Sequence, residues 1–117
     1  MKIPVLVLSM ALALLAACSE PVPHAKASYV GQWQGGTMAL EIRRDGYVHY
    51  ARRSENGTTT INAPIQRFEG DNFVVGIGPL GTTFVVSKPP HLDGATWKMT
   101  VDGVELTRKA GPGETTA

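Results

Sequence analysis

The chain has 117 residues, enough for one domain and too few for two. Lys and Arg number 11 against 10 Asp and Glu, so no basic excess marks it as a nucleic-acid binder. A single cysteine forbids an intramolecular disulfide, and a small fold without that staple must rest on its core.

Lys2 opens the chain with a positive charge, and an apolar run follows through Leu15. That run is too short for a comfortable membrane span and ends in small residues, the pattern of a removable export signal. Leu15-Ala16-Ala17-Cys18 resembles the lipobox of bacterial lipoproteins. The resemblance implies cleavage after residue 17, acylation of Cys18, and attachment to a membrane through the acyl chains. Removal of 17 residues from 117 leaves a mature chain of 100. Ser19, where Asp would favour inner-membrane retention, points to the outer membrane with the domain facing the periplasm. Residues 18–28 carry Pro21 and Pro23 and no apolar period, and are expected to form a tether.

The domain is expected over residues 29–109. Asp45-Gly46, Asn56-Gly57, Gly70-Asp71, Asp93-Gly94 and Asp102-Gly103 punctuate short runs rich in Val, Ile, Thr and aromatics. No segment holds a helical period. Strands are predicted at 37–43, 47–53, 58–62, 65–69, 72–77, 82–87, 95–101 and 104–108. This is an all-β, antiparallel up-and-down meander of eight short strands, a closed or half-open barrel, with a two-sheet sandwich as the alternative. Parity sets the turns. A three-residue loop Arg44-Asp45-Gly46 pairs Ile42 with Val48 and Leu40 with Tyr50, and requires Gly46 at positive φ. A two-residue turn at Asn56-Gly57 pairs Arg52 with Ile61 and Tyr50 with Ala63. One at Asp102-Gly103 pairs Val101 with Val104 and Met99 with Leu106. The expected interior runs from Trp33 to Leu106 and includes Ile61, Ile77, Trp97 and Val104. Residues 110–117 read as a disordered tail.

Gly31-Gln32-Trp33, just before the first long strand, resembles the Gly-x-Trp opening of lipocalins and related small barrels. The resemblance implies a tryptophan closing one end and an opposite mouth that admits an apolar ligand. Trp33, Tyr50, Arg52, Phe73, Phe84 and Trp97 are the candidate lining. The strands are shorter than a typical lipocalin's and leave little material for a roomy calyx. Small-barrel protease inhibitors of the periplasm open in the same way but usually carry a disulfide.

The polar residues offer no catalytic constellation. His24, His49 and His91 have no metal-ligand spacing, so neither a metal nor another cofactor is expected. Ser54 and Ser87 lack the strand-turn-helix elbow of an exposed serine nucleophile. His91 beside Asp93 is the one acid–base pair in reach. Arg43, Arg44, Arg53 and Arg67, with Arg52, are expected near one hairpin region as a patch for anionic lipid, glycan or an acidic partner. Balanced by Glu41, Asp45 and Glu55, they also fit an ordinary solvated edge. The expected function is a lipid-anchored, non-enzymatic binding or interaction module of the cell envelope, holding a small apolar ligand or meeting an envelope protein. The alternatives are an inhibitor of a protease or lysozyme, entering its target through Ser19–Pro23, and a structural envelope protein.

Overall fold

The computed structural model describes residues 20–110. It is all-β: one antiparallel sheet, strongly curled into a half-barrel. Its nine strands are β1 (Gly31–Gly35), β2 (Met38–Ile42), β3 (Tyr47–Ser54), β4 (Gly57–Glu69), β5 (Asn72–Ile77), β6 (Leu80–Phe84), β7 (Val86–Asp93), β8 (Thr96–Val101) and β9 (Val104–Arg108). The order across the sheet is β6-β5-β4-β3-β2-β1-β9-β8-β7.

The hairpins follow from turn chemistry. At the β2–β3 turn, Gly46 N–H donates to the Arg43 carbonyl at 3.0 Å, Gly46 has φ of 89°, and Ile42 pairs with Val48. This is the bulged loop that parity requires. Asp102 and Gly103 both take positive φ, 48° and 78°, and Val101 pairs with Val104 across them, a primed two-residue turn. The β3–β4 turn differs from expectation. Ser54 pairs with Gly57, so the loop is Glu55–Asn56 and Tyr50 faces Ile61 rather than Ala63. A two-residue slip preserves parity, so each side chain keeps its face.

Three segments depart further. Gly31–Gly35 is a strand pairing with both β2 and β9. Its two glycines hide it from a propensity reading, yet a Cβ on Gly35 would run into the Glu105 carbonyl, so glycine is what lets β9 approach. The two runs expected at 58–62 and 65–69 are one strand, β4, bent where the register shifts between Ile65 and Arg67; its first part pairs with β3 and its second with β5. The run expected at 82–87 is broken at Val85 and shared between β6 and β7, the two edges of the sheet. Chain continuity through Val85, not a ladder, joins those edges. Two side chains supply the missing hydrogen bonds: Asp102 Oδ1 accepts from Val85 N–H at 2.9 Å, and Asn72 Oδ1 from Val86 N–H at 2.8 Å. Pro89 and Pro90 sit on edge strand β7, where their missing donors are tolerated and blunt the edge.

The core holds Trp33, Met38, Leu40, Ile42, Val48, Tyr50, Phe73, Val75, Phe84, Val86, Met99, Val101 and Leu106, joined by Tyr29 and Ala63. Ile61, Trp97 and Val104 are only partly buried against it. Ile77 is 70% exposed, contrary to its expected place inside, because β5 runs past the core into the β5–β6 hairpin tip. Residues 22–28 are also not a loose tether. His24–Tyr29 form a 3-10 helix, Val22 N–H donates to the Arg44 carbonyl at 3.1 Å, and Tyr29 is fully packed, so the folded unit begins near Val22. Cys18, the signal and residues 111–117 lie outside the described residues.

Candidate functional site

The residues expected to line a calyx mostly fill it. Phe73 stacks on Phe84 with centroids 5.1 Å apart and planes 8° from parallel. Tyr50 meets Phe84 edge-on at 5.0 Å, and Tyr29 meets Phe73 edge-on at 6.1 Å. Phe68 joins from β4, 5.3 Å from Tyr29. Trp33 is buried and its indole N–H donates to the Tyr29 carbonyl at 3.0 Å. Rings in mutual contact thus occupy the middle of the half-barrel, an arrangement that adds stability beyond area burial. Trp97 and Arg52 stand apart from this stack. Trp97 lies beneath the Arg108 guanidinium, 5.3 Å from its ring centre, and Arg52 faces Met38 and Thr59 near the far end of β3.

The arginines do not form one patch. Arg43 and Arg44 stand at the β2–β3 turn, here called the proximal end, and Arg67 follows the β4 bend beside it. Arg52 and Arg53 lie at the other end of β3, roughly 20 Å away at ~3.3 Å per residue. The strand is simply too long for both pairs to flank one turn. Arg43 is paired to Asp45 and Arg67 to Glu69, both at 2.8 Å. These exposed pairs contribute little to stability.

Sequence reasoning missed two groupings on the outer surface. The first is an open groove of about 960 Å³ at the proximal end, where Arg108 and Lys109 come beside Arg43 and Arg44, with Glu41 and Asp45 as the acidic members. Lys109 N–H donates to the Gln32 carbonyl at 2.8 Å, which carries the end of β9 to the start of β1. Spacing in sequence gives no hint of this, because β1 was not read as a strand. The second is a polar row across four strands, Gln32, Glu41, His49 and Asn62, each opposite the next. His49 Nδ1 lies 2.8 Å from Asn62 Oδ1, and its Nε2 lies 4.0 Å from Glu41. The row borders a shallow depression of about 310 Å³; Gln32 and Asn62 are exposed, Glu41 and His49 half-buried. His91 and Asp93 do not form a couple: His91 Nδ1 contacts the Pro89 carbonyl at 2.9 Å, and Asp93 lies 3.4 Å from Lys98. Asp93 and then Glu105 hold the Lys98 ammonium above its usual pKa.

Tyr29 is the one strongly perturbed phenol. Burial first, and the Asp71 carboxylate second, push its pKa up to about 12. Its hydroxyl donates to the Asp71 carbonyl at 2.8 Å, a structural role. Among the described residues no three His, Cys, Asp or Glu side chains gather as a metal site, and no helix is long and apolar enough to cross a membrane. Comparison with protein-family models, with curated proteins and with solved structures gives no match.

Proposed function

We propose that the chain is a lipid-anchored, non-enzymatic interaction module of the bacterial envelope, held on the outer membrane through acyl chains on Cys18, facing the periplasm and acting through its outer surface. The observation that supports surface action over ligand carriage is the ring stack Tyr50–Phe84–Phe73–Tyr29, which leaves the middle of the half-barrel to protein atoms. The anchoring half of the reading rests on Leu15-Ala16-Ala17-Cys18. Hydrolase inhibition through Ser19–Pro23 gains no comparable support, since Val22 in that segment is hydrogen-bonded to Arg44. Intact and native-lipid mass spectrometry on protein extracted from its own membrane tests both halves. The expected result is a mature chain carrying acyl mass and no stoichiometric small molecule. A co-purifying apolar ligand overturns surface action in favour of carriage. A mature chain without acyl mass overturns the anchor.

A further inference from the structure

We propose that the proximal end of the half-barrel is the face that sits on the bilayer, its basic groove against anionic headgroups and the β5–β6 hairpin tip in the boundary between headgroups and acyl chains. This rests on the anchored reading above. Three features converge there.

The first is where the chain leaves the domain. Glu20 packs on Gly46 so closely that a Cβ on Gly46 would strike the Glu20 carbonyl, and Val22 is bonded to Arg44. Only two peptide steps separate Glu20 from Cys18, a reach of at most ~7 Å. An acylated Cys18 therefore confines the β2–β3 turn to the membrane surface, with too little chain for the domain to turn another face downward. A protein partner would have to fit between the turn and the lipid.

The second is charge. Four cations, Arg43, Arg44, Arg108 and Lys109, line the groove against two carboxylates, Glu41 and Asp45. Arg44 and Lys109 are exposed and make no ion pair among the described residues. Juxtamembrane cations of this kind are drawn to anionic headgroups.

The third is the apolar tip. Ile77 is 70% and Leu80 80% exposed on either side of Gly78-Pro79, the two most exposed large apolar residues described. Gln66 Nε2 donates to the Gly78 carbonyl at 2.9 Å, and its neighbour Ile65 donates to the Gly46 carbonyl at 2.8 Å. The tip is thus fastened to the turn from which the tether departs. Exposed aliphatic side chains at the same end of a domain as a set of cations are what an interfacial membrane contact needs.

The test uses acylated full-length protein reconstituted into vesicles of phosphatidylethanolamine and phosphatidylglycerol. A cysteine is placed at the tip (Leu80→Cys) or in the distal turn (Glu55→Cys) and carries an environment-sensitive fluorophore. Intact mass verifies acylation of each sample. Expected are a blue-shifted emission at position 80 and quenching by lipid-borne spin labels several-fold that at position 55. Adding Arg44→Glu and Lys109→Glu to the Leu80→Cys chain is expected to reduce that quenching. An acylated chain whose two labels are equally exposed overturns this inference and leaves the anchor standing. Protection of position 80 in native envelope membranes but not in lipid vesicles assigns the face to a protein and likewise overturns it. A chain without acyl mass overturns the anchored reading and this one together.

Discussion

Tyr29 carries its phenol into the core from a segment whose sequence looks like linker. Lys26 lies over the same rings, 5.4 Å from Tyr29 and 5.5 Å from Phe68, and its ammonium donates to the Gly70 carbonyl at 2.9 Å. Burial and Asp71 both oppose ionisation of the phenol, which gives stability a defined pH dependence. Well below pH 10 the phenol is neutral whether the chain is folded or not, and its titration does not bear on stability. Between the unfolded value of 10.0 and the folded value of about 12, the unfolded chain gives up the proton and the folded chain does not. Stability contributed by the neutral phenol is therefore lost as pH rises through that window. Urea unfolding at pH 9 and pH 11.5 should show a larger drop for the native chain than for Tyr29→Phe. Equal drops would show that this phenol does not titrate against folding.

At the scale of elements, the weak point is the break at Val85, where a strand leaves one edge of the sheet and enters the other. Val85 and Val86 N–H groups have no ladder partner at this crossing and depend on Asp102 and Asn72 carboxamide or carboxylate oxygens. Removing an acceptor from a partly buried N–H costs ~1–3 kcal/mol. Asn72→Ala should therefore lower unfolding free energy by about 1–2 kcal/mol, and Asp102→Ala by less, because its bond is more exposed and Asp102 also occupies a positive-φ turn position. Since both clamp one dipeptide, the double variant should lose less or more than the sum of the two. Strict additivity in urea titrations would mean that the two side chains act on independent elements. The break was illegible because Thr82-Thr83-Phe84-Val85-Val86 is an unbroken β-favouring run. The opposite failure occurred at Gly31–Gly35 and at Pro89–Pro90, where poor strand formers lie in strands because a close approach and an edge position require them. Alternation and turn residues revealed the register of the β2–β3 and β8–β9 hairpins, with strand ends off by about a residue. The basic groove depended on β1 joining β9 to β2, a long-range pairing that no local pattern announces.

At the scale of the whole molecule, the N-terminal segment connects core, groove and exit. Tyr29 fills the space between Phe68 and Phe73 and its backbone carbonyl accepts a hydrogen bond from the Trp33 indole N–H, while Val22 and Lys26 tie the segment to the β2–β3 and β4–β5 turns. An arrangement of this kind makes residues 22–29 part of the cooperative unit, so shortening the chain should not be graded in its effect. A chain beginning at Glu20 retains all these contacts and should unfold in urea as the full chain does. One beginning at Val30 loses an aromatic core residue, a class of loss worth ~3–5 kcal/mol, and leaves a buried indole N–H without its acceptor at a further ~1–3 kcal/mol. A small domain has only ~5–15 kcal/mol in total. The Val30 chain should thus lack a cooperative transition and the near-UV signature of packed aromatics at room temperature. If it keeps both, the segment is a dispensable cover over a core that closes without it. The two-residue reach from Cys18 would then no longer fix the orientation of the β2–β3 turn, because the segment could detach and lengthen the tether. Intact packing of Tyr29 is the condition on which the proposed seat at the membrane depends.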